Sequence, residues 1–268
     1  MPELPEVQTV VSTLATKILG QRIRRVELRR SDILHPAGTY LAEQLTGKRV
    51  EQLARRAKRI VFTLENANRF YIHLGMSGRL TIESPTAPIA KHTHLILHFA
   101  KFDLRFRDPR RFGGIWWLGD QPQPDNVGPE PLLMRSQQLA ARLSKTRRAI
   151  KTALMDQTLI AGLGNIYADE SLFQAGIHPL TPANRLTLQQ IRRLNRAIKT
   201  TLRRALRHRG STLRDYVDAD GGSGAFQKLH RVYDRADQPC RVCKTSIVRI
   251  VVGGRSTHFC PSCQKKTI

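Results

Sequence analysis

The spacing of apolar residues changes part-way along this chain, and no single type of secondary structure satisfies both patterns. Between about residues 22 and 118 they fall in short β-like runs, as at 59–64, 70–74 and 94–99, parted by turn signals such as Glu65-Asn66 and Ser84-Pro85. Further on the spacing is helical: Leu188, Ile191, Leu194, Ile198, Leu202 and Leu206 recur at intervals of 3, 3, 4, 4 and 4. The stretch 121–131 (QPQPDNVGPEP) is Pro-rich and has no period, which reads as a linker. Val7, Val10, Val11, Leu14 and Ile18 predict one helix ahead of the strands, stopped by Gly20. The expectation is an α+β multidomain chain: a β-sandwich with a leading helix over 1–120, the linker 121–131, and a helical domain from 132.

Charge narrows the partner. The 268 residues include 45 Lys+Arg and 21 Asp+Glu, a net charge of +24. Such a balance calls for a polyanion, and nucleic acid is the first candidate, because Lys and Arg release counterions when they neutralise phosphates. The excess is concentrated: 171–214 has no acidic residue, and ten Lys/Arg lie between 185 and 214. A helical face this one-sided predicts phosphate contact. No apolar run approaches the roughly 18 residues of a membrane span. The acidic, Pro-rich start (MPELPE) is unlike a signal peptide, so a cytoplasmic protein is expected. Residues 218–224 (DADGGSG) are Gly-rich and read as mobile.

All four cysteines stand in the last 29 residues, as Cys240-x2-Cys243 and Cys260-x2-Cys263, sixteen residues apart. Two such knuckles can give four thiolates to one tetrahedral zinc. Between them lie a β-like run at 247–252, Gly253-Gly254 and a second short run, which together predict a zinc-stapled hairpin over 236–268. With every metal position filled by protein, the zinc is structural. Arg255 sits at the hairpin tip, either as a solvated loop residue or as a phosphate clamp.

At the other end, Pro2 is small enough for Met1 to be removed, leaving a secondary amine. Such an amine can attack a sugar carbon and form a cationic iminium, a good electron sink. The helix dipole disfavours its ammonium form, whereas Glu3 and Glu6 favour it. Glu3 is placed to act as a general acid or base. Pro and Glu at a helix start are also ordinary structural devices, so these residues alone do not decide the matter.

The segment Pro2-Glu-Leu-Pro-Glu-Val7 resembles the N-terminal signature of the bacterial formamidopyrimidine-DNA glycosylases, the 8-oxoguanine DNA glycosylases. The resemblance continues through Arg55-Arg-Ala-Lys58, His73-Leu-Gly-Met-Ser-Gly78, Lys91-His92-x-His94, Asp108-Pro-Arg-Arg-Phe-Gly113 and Gly128-Pro-Glu-Pro131. Gly162-Leu-Gly-Asn-Ile-Tyr167, Glu170-Ser-Leu-Phe173 and Ala175-Gly-Ile-His-Pro179 look like that family's helix–two-turn–helix motif, and the four-cysteine finger with Arg255 is similar too.

The resemblance implies a bifunctional enzyme of base-excision repair that removes oxidised purines from duplex DNA and nicks the strand, working as a monomer with one zinc ion. It implies that the Pro2 amine attacks C1′, that Glu3 protonates the opening sugar, that Lys58 serves β-elimination and Arg255 δ-elimination, and that Glu6 supports the site. A flipped base leaves a hole in the duplex, and Met76, Arg110 and Phe112 match the family's wedge. His92, Arg147, Lys151 and Asn165 match its phosphate contacts. Domain boundaries follow: helix–two-turn–helix over 132–235 with a base-covering loop at about 215–226, then the finger over 236–268.

This chain departs from the family in having Lys145-Thr-Arg-Arg148 before Ile150-Lys151, where lysines are usual, and Asp234 and Lys244 where Gly is usual. A sister enzyme of the endonuclease VIII type, acting on oxidised pyrimidines, usually begins Pro-Glu-Gly-Pro, so Pro2-Glu-Leu-Pro5 favours the purine branch. A catalytically silent DNA-binding paralogue would have lost Pro2, Glu3 or Lys58, and all three are present.

Overall fold

A computed structural model describes residues 1–121 and 126–266, so the centre of the expected linker, 122–125, lies outside the described residues. The chain divides into two compact units: Met1–Pro124 with His208–Gln227, and Asp125–Arg207 with Lys228–Ile268.

The first unit opens with α1 (Leu4–Ile18), whose Leu4, Val7, Val10, Val11, Leu14 and Ile18 are buried at the predicted helical spacing. Gly20 follows at φ +75°, a left-handed position that suits glycine, and its N–H goes to Val50 O. Then come β1 (Arg25–Leu28), β2 (Leu34–His35), α2 (Leu41–Leu45), β3 (Val50–Arg56), β4 (Arg59–Leu64), β5 (Arg69–His73), β6 (Arg79–Glu83), β7 (Thr93–His98), β8 (Asp103–Arg107) and β9 (Gly114–Gly119). They form a four-stranded sheet, β1-β7-β8-β6, and a five-stranded sheet, β2-β9-β5-β4-β3. Phe62, Phe70 and Ile72 of one sheet share a core with Leu97, Leu104 and Phe106 of the other, and α1 adds its apolar face. This is the expected sandwich with its leading helix.

The segment expected to be mobile joins this unit and is held by hydrogen bonds. The buried Asp218 carboxylate accepts the N–H groups of Asp220 (2.9 Å) and Gly222 (2.8 Å) and pairs with Arg209. Ala219 O accepts Ile82 N–H, and Phe226 N–H donates to Gly210 O.

The second unit holds α3 (Ser136–Leu143), α4 (Ile150–Met155), α5 (Asn165–Ala175) and α6 (Leu188–Arg207), then the hairpin β10 (Val248–Val252) and β11 (Arg255–Phe259). Turns over 156–164 join α4 to α5, the helix–two-turn–helix arrangement. α5 packs against α6 and also against α4 and β11, so it lies between α6 and the hairpin. Ile191, Leu194, Ile198 and Leu202 of α6 are buried as their period requires, but Leu188 is 65 % exposed because it starts the helix.

Candidate active site and nucleic-acid interface

In the first unit the candidate residues Pro2, Glu3 and Glu6 stand at the start of α1. Pro2, Glu3 and Glu6 are all buried, behind a half-exposed Met1. A buried carboxylate is costly unless donors satisfy it. Glu6 meets that condition: Oε2 accepts Glu3 N–H at 2.8 Å and Oε1 accepts Ser211 N–H at 2.7 Å. One side chain thus fastens the chain start to the segment that follows α6.

Lys58 sits in the two-residue turn between β3 and β4, after Ala57 at φ +55°, and is 6 % exposed. Positive φ at alanine costs roughly 1 kcal/mol, a strain that tight functional turns can carry. Arg55 Nε donates to Gln8 Oε1 at 3.1 Å, which ties the end of β3, just before the turn with Lys58, to the second turn of α1. Nearby His73 accepts Gly75 N–H on Nδ1 at 3.1 Å, so that nitrogen carries no proton. Burial, then the charges of Lys58 and Arg59, push the His73 pKa down to about 4.

The wedge candidates stand on two loops joined by one buried residue. Asp108 is fully buried, and its Oδ1 accepts Ser77 Oγ–H at 2.6 Å and Arg110 N–H at 3.3 Å. Its Oδ2 accepts Gly113 N–H at 2.8 Å. The loops touch backbone to backbone: a Cβ at Gly75 would fall 2.4 Å from Gly113 N, so glycine is required there. Met76 is half-buried, Phe112 is 56 % exposed, and the Arg110 guanidinium lies over the Phe112 ring at 4.7 Å. His92 is exposed, and its carbonyl accepts Asp108 N–H at 3.1 Å. The sequence presents Asp108 only as the head of a motif; its organising part becomes visible in the fold.

In the second unit Asn165 begins α5. Its Nδ2 donates to Ser256 O at 2.9 Å, beside exposed Arg255 at the hairpin tip. Lys151 departs from expectation. It is fully buried, with Nζ 2.9 Å from Asn165 O and 2.5 Å from Asp169 Oδ1, so its ammonium is turned into the fold beneath Asn165. Asp169 Oδ2 in turn accepts His258 N–H at 2.9 Å, which joins α4, α5 and β11. Of the basic run before α4, Arg148 is paired with Asp156 at 2.8 Å, whereas Lys145 and Arg147 are exposed without an ion pair among the described residues. Among the described residues no hydrogen bond or ion pair joins Arg147 to Asn165 or Arg255.

The four cysteine sulfurs lie within 4.8 Å of one another. Separations of 4.0 Å (Cys240–Cys263) and 3.4 Å (Cys243–Cys260) bracket the roughly 3.8 Å edge of a tetrahedron with 2.3 Å zinc–sulfur bonds. Val242 N–H and Cys263 N–H point at Cys240 and Cys260 sulfur, donors that suit thiolates. Cys240, Cys243, Cys260 and Cys263 therefore fit one structural zinc, which closes the knuckles and supports the hairpin.

Models of the formamidopyrimidine-DNA glycosylase N-terminal domain and H2TH domain match residues 1–115 and 127–217, and a zinc finger found in FPG and IleRS matches 237–266. The chain belongs to the formamidopyrimidine-DNA glycosylase family. The formamidopyrimidine-DNA glycosylase of Solibacter usitatus is 44 % identical over 268 residues, which is 99 % of this chain and 100 % of that protein. That of Bacillus subtilis is 43 % identical over 280 residues, again 99 % and 100 %. Among solved structures, Lactococcus lactis Fpg in complex with DNA containing an abasic site superposes at TM-score 0.92 with 36 % identity, covering 98 % of this chain and 100 % of that one. MutM in complex with DNA containing carbocyclic 8-oxo-G gives 0.93 and 37 %, with 99 % and 100 % coverage. Membership makes this chain a DNA-repair glycosylase with a zinc finger. Among the described residues no helix is long and apolar enough to cross a membrane.

Proposed function

We propose that this glycosylase excises oxidised purines from duplex DNA through an iminium on Pro2 and then nicks the strand. The observation that carries this is the pair of buried carboxylates, Glu3 and Glu6, in the first residues of the chain. An ordinary helix start leaves its acids in solvent. Here Glu6 fixes the backbone of Glu3, and Pro2, itself buried, precedes both.

Removal of Met1 frees the Pro2 nitrogen. Its lone pair forms a bond to C1′ of the flipped nucleotide, and the bond from C1′ to the base breaks, the electron pair leaving with the base, which takes up the proton released from the Pro2 nitrogen. Glu3 delivers a proton to the ring oxygen as the sugar opens, giving the iminium. Loss of a C2′ proton then expels the 3′ phosphate, with Lys58 as proton donor, and a second elimination with Arg255 expels the 5′ phosphate. Met76, Arg110 and Phe112 fill the vacated stack, and Arg110 serves the orphaned base. His92, Arg147 and Asn165 take phosphates, Asn165 by exchanging Ser256 O for a phosphate oxygen. Lys151 supports Asn165 from beneath. The enzyme works as a monomer on chromosomal DNA in the bacterial cytoplasm.

Borohydride reduction with a duplex carrying 8-oxoguanine opposite cytosine tests the scheme. The expected product is a covalent adduct at Pro2, lost when one extra N-terminal residue blocks the amine while duplex binding survives. Absence of the adduct from protein confirmed to lack Met1 would overturn it.

A further inference from the structure

The basic run of α6 is not absorbed by the site above. Arg192, Arg196, Lys199 and Arg203 stand at successive steps of four, three and four residues, so they fall on one helix face. At about 1.5 Å per residue they form a line of about 16 Å. Among the described residues none of the four is in an ion pair or side-chain hydrogen bond. They line a groove of about 370 Å³ together with Ser136 and Gln137 of α3 and Thr200. Asn195, 5 % exposed, fixes the far wall by donating Nδ2 to Met134 O (3.2 Å) and Ser136 Oγ (3.1 Å). No carboxylate relieves this charge from either wall, because 131–155 and 171–214 contain no Asp or Glu.

The groove lies apart from the lesion-reading face of its unit. Asn165 and Arg255 belong to α5 and the hairpin, and α5 separates α6 from the hairpin. Every residue lining the groove is polar or charged. A protein partner would need aromatic or aliphatic anchors to bind there, whereas nucleic-acid interfaces are polar and strongly basic. Four unpaired cations at regular steps along a straight rod match a regularly charged polyanion.

We propose that the α3–α6 groove holds a second, undamaged segment of duplex DNA while the first is read at Asn165 and Arg255. The inference rests on the proposed DNA face only in supposing that the first duplex occupies it. Holding two segments at once allows the enzyme to pass from one stretch of DNA to another without release.

The test uses the full-length enzyme saturated with a short lesion duplex and titrated with a labelled undamaged 12-base-pair duplex over a salt series. The expected result is a second equivalent of duplex whose log affinity falls against log salt with a slope between about −3 and −4, from about 0.9 per phosphate neutralised. Replacing Arg192, Arg196, Lys199 and Arg203 together by Gln, which preserves helix propensity, should abolish the second equivalent and leave lesion excision on the short duplex unchanged. Replacing the three arginines by Lys should retain it. Arg255→Gln should weaken the first equivalent and spare the second. If Arg255→Gln changes neither, the reading of the lesion face fails and the groove stands. A wild-type enzyme that takes only one duplex at 50 mM salt, or a Gln variant that keeps the second with the same slope, overturns the proposal. So does tighter binding of a poly-glutamate peptide than of the duplex.

Discussion

Glu6 and Ser211 are 205 residues apart in sequence, yet Glu6 Oε1 accepts the Ser211 N–H at 2.7 Å. Its other oxygen accepts Glu3 N–H. The carboxylate therefore holds the backbone of Glu3, beside the proposed nucleophile, and the start of the segment after α6 together. Glu6→Gln retains one acceptor but turns an amide N–H toward a backbone N–H. We expect a loss of about 1–3 kcal/mol, seen as a lower Tm. The trapping rate at Pro2 should fall about 10- to 100-fold, because the reacting geometry loosens. Gly210→Ala should act in the same direction, since a Cβ there would come 2.5 Å from Glu6 Oε1 at φ +78°. An E6Q enzyme with normal trapping kinetics would remove Glu6 from the positioning of Pro2.

Asp108 predicts a separable effect. It receives Ser77, Arg110 and Gly113 and so sets the loops that carry Met76, Arg110 and Phe112. Asp108→Asn loses at least one of these bonds inside the fold, a cost of about 1–3 kcal/mol. Affinity for lesion-containing duplex and discrimination of the opposite base should drop, while binding to undamaged DNA at low salt holds. Equal losses on both DNAs, measured by fluorescence anisotropy, would show that the loops bear no special relation to the lesion.

The buried Lys151–Asp169 pair makes a stability prediction with an internal control. Removing one partner of a buried pair leaves an uncompensated charge and costs about 3–5 kcal/mol. Lys151→Met should therefore lower the denaturation midpoint sharply. Lys151→Met with Asp169→Leu should recover part of that loss, although His258 N–H then lacks its acceptor. A double variant less stable than K151M alone would mean that Asp169 acts chiefly through His258.

These carboxylates mark the limit of what the chain discloses as a sequence. The leading helix, the strands at 59–64 and 94–99 and the cysteine knuckles were legible because each rests on a local period or spacing. Asp108, Asp169 and Glu170 carry no such sign. Glu170 accepts N–H groups from Arg231, Val232 and Tyr233, a partner set formed only after folding. Lys151 reads as a surface cation because sequence does not say which lysine turns inward. The glycines of 218–224 read as slack, yet Gly222 is small because a Cβ there would lie 2.8 Å from Asp218 Oδ2. Residues 208–227 return to the first unit through pairings with distant residues such as Glu6, which leave no local pattern.

The zinc knuckles predict a loss confined to one unit. Cys240 and Cys260 pack with Phe173, Val232 and Ile247 in a small core of their own, too small to hold the hairpin without the metal. Chelation or Cys260→Ser should unfold the finger and remove the scaffold of Arg255. Duplex affinity should fall, and the slope of log affinity against log salt should become shallower by about 1 as one phosphate contact is lost. Unchanged affinity in the metal-free enzyme would separate Arg255 from DNA binding.

His73 sets a pH dependence on the first unit. In the unfolded chain it takes up a proton near pH 6.5, but in the fold burial and the charges of Lys58 and Arg59 hold that protonation down to about pH 4. Between those values the unfolded state binds more protons, so acidification favours unfolding. Stability contributed by neutral His73 is complete above about pH 6.5 and falls by up to about 1.4 kcal/mol per pH unit as the pH drops toward 4. His73→Gln cannot titrate. It should cost some stability at pH 7.5, where the Nδ1 acceptor for Gly75 N–H is altered. Its midpoint should then decline less than that of the wild type between pH 6.5 and 4.5. Parallel declines in urea titrations across that range would place the acid-sensitive group elsewhere.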